Sequence, residues 1–141
     1  LIDSYYAEDA EVVLVTMGSV IGTIKDAIDE MRAEGIKVGL IKVRCYRPFP
    51  AAALRKALSG AKVIAVVEKD VSIGNEAGLV TDLKASFYNS DIRTPIIGFV
   101  AGLGGRDITI KDIRKMVVKA LAAEKGIECE FEFLDLRKEI L

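Results

Sequence analysis

The chain has 141 residues, of which 51% are hydrophobic, and its 20 basic and 21 acidic side chains leave a net charge of -1. This length corresponds to one domain that buries a real core without disulfides or metals, and the near-neutral charge argues against a nucleic-acid-binding surface, a polybasic membrane patch and intrinsic disorder. The absence of histidine from the sequence excludes serine and cysteine triads, histidine-ligated zinc and imidazole acid-base chemistry.

The cysteines and the first residues indicate in which cellular compartment the chain is found. Cys45 and Cys129 form no CxxC pair, and because an iron-sulfur cluster normally takes four thiolates, we expect both to be reduced structural thiols. The chain opens without a basic or apolar leader, and its apolar runs are far shorter than the roughly 20 residues that span a bilayer. The sequence therefore predicts a cytoplasmic chain, or a domain cut from a longer one, with no membrane or nucleic-acid partner.

Short β-branched runs alternate with helical patterns along the chain, as they do in βαβ units. Four of these runs are nearly continuous in Val, Ile and Leu: residues 11–17, 37–43, 62–67 and 95–100. Such continuity is typical of strands that are covered on both faces. The four runs therefore predict central strands of a parallel sheet.

Helical patterns follow the first two runs. Apolar residues recur at helical spacing from Ile21 to Met31, and Gly35 is predicted to end this helix. A shorter second helix is predicted to begin at Pro50, because proline suits the first helical position, and to end at residues 59–60.

Two more helices are predicted after the third and fourth runs. Asn75 is expected to cap one of them, whose core-facing positions are Ala77, Val80, Leu83 and Phe87. Thr109 or Asp107 is expected to cap the other, whose core-facing positions are Ile110, Ile113, Val117 and Leu121.

Beyond Gly126 the pattern changes to strict alternation of apolar residues with glutamates, the apolar ones being Ile127, Cys129, Phe131 and Phe133. This period of two predicts a half-exposed edge strand or a docking arm. We therefore expect one α/β domain over residues 1–126, with residues 127–141 as the edge strand or docking arm of the same domain. The expected fold class is an αβα three-layer sandwich with a mainly parallel central sheet.

Ligands of open parallel sheets collect beyond the carboxyl ends of the strands, so the loops after the four runs are the candidate sites. The loop of residues 17–22 predicts either an anion site at a helix start or a tight turn capped by Ser19. The loop of residues 44–50 holds two arginines, two aromatics and two prolines. It predicts an arginine-bearing contact surface for a carboxylate, a phosphate or a neighbouring domain, or else a rigid bridge with Phe49 packed beneath it.

The remaining two loops also leave alternatives open. Glu68, Asp70 and Glu76 suggest a metal or acid-base site, but Glu68 and Asp70 could instead accept bonds from loop amides, with Glu76 in the first turn of a helix. The glycine-rich loop of residues 102–106 is either an anion nest or a turn that lets another chain approach. No catalytic, cofactor-binding or metal residue is assigned, and the candidate interface or anion-contact residues are Arg44, Arg47, Gly102, Gly104, Gly105 and Arg106.

Taken together, these segments resemble a known family. Residues 12–19, 38–44, 66–68 and 74–76 are similar to the transketolase C-terminal domain, which closes many thiamine diphosphate enzymes. Three further details resemble the C-terminal part of the α subunit of pyruvate:ferredoxin oxidoreductase and its 2-oxoacid relatives: Arg-Pro-Phe-Pro at 47–50, Glu-Lys-Asp at 68–70, and Gly-Phe-Val-Ala-Gly-Leu-Gly-Gly-Arg-Asp-Ile-Thr at 98–109.

The resemblance implies a subunit of an enzyme that oxidatively decarboxylates a 2-oxoacid, with pyruvate as the expected one, to acyl-CoA and carbon dioxide and passes the electrons to ferredoxin. It also implies that thiamine diphosphate with magnesium and the iron-sulfur clusters are bound by other domains or subunits, and none by this chain. The domain itself would be structural and interface-forming, inactive alone, and part of a hetero-oligomer that reaches coenzyme A and ferredoxin through the holoenzyme.

Two alternatives to the interpretation as an oxidoreductase subunit remain. The chain could be the C-terminal domain of another thiamine diphosphate enzyme, of the transketolase or 2-oxoacid dehydrogenase type, although the segments at 47–50 and 102–107 argue against it. It could also be a stand-alone α/β module that binds a nucleotide or another anion at residues 18–19 and 102–106.

Overall fold

The computed structural model describes residues 1–126 and 130–134. Within these residues six strands form one sheet and four helices of at least eight residues cover it. In chain order the elements are β1 (Ile2–Tyr5), β2 (Val12–Thr16), α1 (Ile21–Ala33), β3 (Val38–Val43), α2 (Ala51–Leu58), β4 (Val63–Glu68), α3 (Gly78–Phe87), β5 (Ile96–Val100), α4 (Ile110–Glu124) and β6 (Phe131–Phe133), with a 3-10 turn at Leu103–Gly105.

The strand order across the sheet is β1-β3-β2-β4-β5-β6, and every neighbouring pair is parallel except β1 with β3. Val12 of β2 pairs with Val38 on one side and Val63 on the other. The four strands predicted from the apolar runs are therefore confirmed, and so is the mainly parallel sheet.

The two faces of the sheet pack against different pairs of helices. One core joins alternate strand residues such as Leu14 and Phe99 to α1 and α4, where Ile28 and Met116 are fully buried. The other core uses the intervening strand positions and the buried faces of α2 and α3: Val13, Val15, Ile41, Ile64, Val66, Leu54, Leu58, Leu79 and Leu83. Because strand side chains alternate between faces, both cores run the length of the central strands and produce the predicted three layers.

The sequence did not predict β1, which pairs antiparallel with β3 at the sheet edge, Ile2 opposite Val43. Its four residues are exposed or half-buried, so they carry no apolar run. Residues 127–129 and 135–141 lie outside the described residues, so the pattern expected at Ile127 and Cys129 stays a prediction, as does the division at residue 126. The described part of that segment contains β6, which runs parallel to β5.

The helix starts differ in part from the predicted caps. Thr109 caps α4 as predicted, in a capping box with Asp112. Asn75 does not cap α3, which begins at Gly78. Asn75 lies instead in a turn, in which its N–H donates to the Ser72 carbonyl at 2.9 Å. Likewise, α1 begins after Val20 with no side-chain cap from Ser19, and Pro50 precedes α2 rather than opening it. Among the described residues, no helix has the length and apolarity needed to cross a bilayer.

Candidate functional site

The loops that follow β2, β3, β4 and β5 all lie at the carboxyl edge of the sheet, because these four strands are parallel. The strand order places β2 and β4 between β3 and β5. At the usual spacing between strands, the ends of β3 and β5 are about 14 Å apart. The loop of residues 44–50 and the loop of residues 102–106 therefore form two separate patches on one edge.

The first patch is fastened to α3 through Arg47. The Arg47 guanidinium donates to the Asp82 carboxylate at 2.9 Å and lies 4.1 Å from the centre of the Tyr46 ring. The Tyr46 hydroxyl donates to the same carboxylate. These contacts lower the pKa of Asp82, while burial and then the Asp82 hydrogen bond raise the pKa of Tyr46. The loop is thus rigid, yet the Arg47 side chain remains 63% exposed.

Two neighbours complete this patch. Phe49 packs edge-on against Tyr46, with ring centres 5.8 Å apart, and contacts the core shared by α2 and α3. Arg44 follows β3 and pairs with Asp3 of the neighbouring edge strand β1 at 3.6 Å, with both side chains exposed. The loop therefore forms a bridge with Phe49 packed against it and leaves the Arg44 and Arg47 side chains exposed. The contact surface predicted for these arginines stays a prediction.

The second patch is a left-handed backbone turn. Gly102, Gly104 and Gly105 all have positive φ, between 68° and 78°, which explains the need for glycine. Open space surrounds the Cβ positions of Gly104 and Gly105, and Arg106 is exposed. The start of α4 is already capped by Thr109 and Asp112, so some of the N–H groups that an anion would use are taken.

The three carboxylates predicted as a possible metal or acid-base site do not converge on one point, although Asp70 lies near Glu68. Glu68 is only 6% exposed and accepts from the N–H groups of Leu79 at 2.6 Å and Val80 at 3.0 Å. Glu76 precedes α3 and pairs with Lys84 at 2.5 Å, and Asp70 is exposed. Glu68 therefore fixes the start of α3 onto the end of β4, while Glu76 binds Lys84.

Burial dominates the electrostatics of Glu68. Removal from water raises the pKa of its carboxyl to about 7; nearby Asp70 adds to the rise, while the two backbone N–H bonds oppose it. The sequence left open a metal or acid-base role for Glu68 and bonds from loop amides; its carboxylate instead accepts from amides in the first turn of α3. A carboxylate at a helix N-terminus is favoured by the helix dipole, so this contact also occupies an anion site internally.

The donor side chains of the described residues do not fit a metal site. In the part of the chain that the structure describes, no group of three His, Cys, Asp or Glu side chains is placed to hold a metal ion. The sequence supplies only two cysteines, fewer than the four thiolates that a cluster takes. We therefore derive no catalytic step through a metal or cluster on this chain.

Two residues at this edge were missed from the sequence. Asp82 is the fifth residue of α3 and is half-buried, and no sequence signal paired it with Tyr46 and Arg47. Ile73 lies in the loop between β4 and α3 with 101% of its reference surface exposed. Its apolar character was visible in the sequence, but its position at an open turn was not.

Residues 10–113 match the family model described as pyruvate:ferredoxin oxidoreductase core domain II. The pyruvate synthase subunit PorA of Methanosarcina barkeri is 46% identical over 143 residues, which cover 100% of this chain and 36% of that protein. The ketoisovalerate oxidoreductase subunit VorA of Pyrococcus horikoshii is 38% identical, covering 98% of this chain and 36% of that protein. The chain therefore spans about a third of the length of the curated relatives it matches.

Solved structures with the same fold include enzymes of two kinds. A 2-oxoglutarate:ferredoxin oxidoreductase from Magnetococcus marinus, with 2-oxoglutarate, coenzyme A and succinyl-CoA bound, matches with a TM-score of 0.63 and 23% identity, covering 88% of this chain and 19% of that one. A split-gene transketolase, an inactive β4 tetramer, matches with a TM-score of 0.67 and 19% identity, covering 86% of this chain and 42% of that one. At these identities the matches establish the fold alone, and they confirm the predicted transketolase-like fold.

Proposed function

The chain belongs to the pyruvate:ferredoxin oxidoreductase core domain II family, and from that premise we propose that it is one domain of a 2-oxoacid:ferredoxin oxidoreductase subunit whose substrate is pyruvate. The whole enzyme decarboxylates the 2-oxoacid oxidatively to acyl-CoA and carbon dioxide and transfers the electrons to ferredoxin. The family match over residues 10–113 carries this proposal. The 46% identity to a pyruvate synthase subunit supports pyruvate as the substrate.

The role of the domain within that enzyme is structural and interface-forming. The carboxylates at the carboxyl edge support this role, because Glu68 binds the start of α3 and Glu76 binds Lys84. Thiamine diphosphate, which supplies the carbanion chemistry of decarboxylation when bound, is then held with magnesium and the clusters by other domains or subunits. The domain reaches ferredoxin and coenzyme A only through the hetero-oligomeric holoenzyme, which we place in the cytoplasm.

The candidate contact residues at the carboxyl edge are part of this proposal. Arg44, Arg47 and Arg106 are exposed on the two patches, and planar guanidinium groups suit carboxylates on a neighbouring protein surface. The alternative of an anion-binding module is less well supported. Of its two expected sites, residues 18–19 and 102–106, the second precedes α4, where the capping box of Thr109 and Asp112 already binds backbone N–H groups.

Reconstitution of the complete enzyme tests the proposed function. The full subunit is combined with its partner subunits, and coenzyme A-dependent reduction of ferredoxin is measured with pyruvate, 2-oxoisovalerate and 2-oxoglutarate. The same assay is run with a subunit lacking these 141 residues and then with this chain added back. We expect activity with pyruvate that is lost on deletion and restored on addition. Full activity without the domain, or tight nucleotide binding by the lone chain, would overturn the proposal.

Arg47→Ala tests the interface role. Because the Arg47–Asp82 pair is exposed, its loss should lower the Tm of the 141-residue chain by less than about 3 °C, while assembly with the other subunits weakens. Arg93→Ala is the matched control, since Arg93 is an exposed arginine before β5, at the opposite edge of the sheet. A large fall in Tm with intact assembly would show that Arg47 serves only the fold of this domain.

A further inference from the structure

Glu68 is a buried carboxyl group that contacts two segments at once. Its side chain is only 6% exposed and accepts from the N–H groups of Leu79 at 2.6 Å and Val80 at 3.0 Å, in the first turn of α3. It also shares a side-chain hydrogen bond with Asp70, which belongs to the exposed loop of residues 69–75. Glu68 therefore joins the start of α3 to the loop that follows its own strand.

Gly78 leaves room for the Asp70 carboxylate beside the start of α3. A Cβ on Gly78, the first residue of α3, would lie 3.8 Å from Asp70 Oδ2 and 3.3 Å from the Tyr46 hydroxyl oxygen. The next residue, Leu79, is one of the two whose N–H groups bind Glu68. The carboxyl groups of Glu68 and Asp70 are thus placed against the same helical turn.

A hydrogen bond between two carboxyl groups requires a proton on one of them, because an ionised carboxylate only accepts. Glu68 carries this proton, since burial raises the pKa of its carboxyl to about 7, whereas Asp70 is exposed. When the proton leaves, two negative charges face each other and the donor to Asp70 is lost. The bonds from Leu79 and Val80 then become charge-assisted, which strengthens them.

We propose that Glu68 and Asp70 form a pH-sensitive switch for the loop between β4 and α3. The protonated Glu68 hydroxyl donates to Asp70 and holds residues 69–71 beside α3. Loss of that proton to solvent breaks the bond and repels Asp70, so these residues are released while α3 keeps its two bonds to Glu68. The turn of residues 72–75 stays closed by its own backbone bonds. The switch goes beyond the proposed function and does not depend on it.

The ionisable groups of the neighbouring segments keep one charge state from pH 5 to 8. The Tyr46 hydroxyl donates to the Asp82 carboxylate, which also pairs with Arg47 at 2.9 Å. Burial raises the pKa of Tyr46 above 10.0, and the Tyr46 hydrogen bond lowers the pKa of Asp82 below 3.8. The segment after β5 contributes an uncharged group, the Ala101 N–H, which donates to the Glu68 backbone carbonyl at 3.0 Å.

NMR spectroscopy of the 141-residue chain from pH 5 to 8 tests the switch. We expect the Glu68 carboxyl carbon and the amide protons of Leu79 and Val80 to shift with one midpoint, near pH 7, the amide protons moving downfield as their acceptor becomes charged. The methyl groups of Val71 should lose order with the same midpoint. Those of Val118, exposed on α4, should not change. Constant order at Val71, or order that increases with pH, would overturn the inference.

Asp70→Asn separates the switch from a simple titration of Glu68. Asparagine accepts from the protonated Glu68 and donates to the ionised one, so we expect the order of Val71 to be independent of pH. The Glu68 midpoint should fall, because Asp70 raises the pKa of this carboxyl. Asp107→Asn, in the exposed loop before α4, is the control and should behave like the wild type. Loss of order at Val71 near pH 7 in Asp70→Asn would refute the switch.

Glu68→Gln provides the permanently closed form. Its side-chain NH₂ donates to Asp70 at every pH, so Val71 should stay ordered from pH 5 to 8 even though the variant is less stable. Order at Val71 that still decreases with rising pH would show that another group controls the loop.

Discussion

At the scale of single residues, Glu68 is subject to opposing influences. Burial at the end of β4 favours its neutral form, and the nearby Asp70 charge acts in the same direction. The N–H groups of Leu79 and Val80, together with the dipole of α3, favour the charged form. Burial prevails and brings the pKa to about 7, so the contact that starts α3 changes its protonation near neutral pH.

The raised pKa of Glu68 predicts how stability depends on pH. Its folded value, about 7, lies above the ordinary value of 4.5, so the native state binds the proton more tightly than the unfolded state between these values. The free energy of unfolding should therefore fall as pH rises from about 4.5 to 7, by at most about 3 kcal/mol. Denaturant unfolding from pH 5 to 8, with a carbon NMR titration of the Glu68 carboxyl, measures both effects.

Glu68→Gln is the matched variant for this prediction. It removes the titrating group and leaves one amide oxygen for two N–H donors, so we expect lower stability at every pH but little slope between pH 5 and 8. The lowered pKa of Asp82 has the opposite effect on the pH dependence of stability. The stability that Asp82 contributes is lost as pH falls below the ordinary pKa of 3.8, which lies outside the range of pH 5 to 8. A Glu68 midpoint near 4.5, or equal slopes in both proteins, would contradict the prediction.

At the scale of secondary-structure elements, the segment that follows β1 packs against β3 at a glycine, Gly39. A Cβ on Gly39 of β3 would lie 2.5 Å from the Tyr6 carbonyl oxygen and 2.7 Å from Ala7 Cα. These are backbone atoms, so they cannot rotate away. The chain that leaves β1 therefore passes directly over β3, where Arg32 also binds the Tyr6 carbonyl at 2.7 Å and Asp9 at 2.8 Å.

Gly39→Ala is predicted to destabilise the chain by about 2 kcal/mol or more, because the added methyl group forces the segment after β1 away from the sheet. Gly22→Ala is the control with the same chemical change. Gly22 lies in α1 with nothing near its Cβ position, so alanine should stabilise the helix by up to about 1 kcal/mol. Denaturant midpoints of the two variants, compared with the wild type, measure the difference. A Gly39→Ala variant as stable as Gly22→Ala would contradict this account.

The elements differ in how far the sequence determines them. The four central strands were predictable because burial on both faces leaves a continuous apolar run in each, and the Thr109 cap because its partner Asp112 is only three residues away. The start of α3 was not predictable, because the carboxylate that accepts from its Leu79 N–H belongs to Glu68, which lies eleven residues before Leu79 on β4. The distance between the loops of residues 44–50 and 102–106 follows from the strand order. Strand order cannot be predicted from a local sequence pattern.

At the scale of the whole molecule, the central strands belong to both cores and the edge strands do not. β2 and β4 are buried at every position, whereas β1 has exposed and half-buried residues and β6 only half-buried ones. β6 also pairs with the sheet over a shorter stretch: three residues of β6 are paired with β5, whereas five residues of β2 are paired with β4. Just beyond β6, the Leu134 N–H donates to the Val100 carbonyl at 2.8 Å. Detaching an edge strand therefore exposes less apolar surface than separating β2 from β4.

This difference predicts two classes of amide hydrogen exchange. Amides shared by β2 and β4 should exchange only through global unfolding, with a strong dependence on denaturant. The Leu134 amide should exchange through local detachment of β6, with a lower opening free energy and a weak dependence on denaturant. Native-state exchange followed by NMR at increasing denaturant measures both. If Leu134 shared the opening free energy of the β2 and β4 amides, β6 would be an integral strand whose removal unfolds the whole molecule, because its loss would open both cores at once.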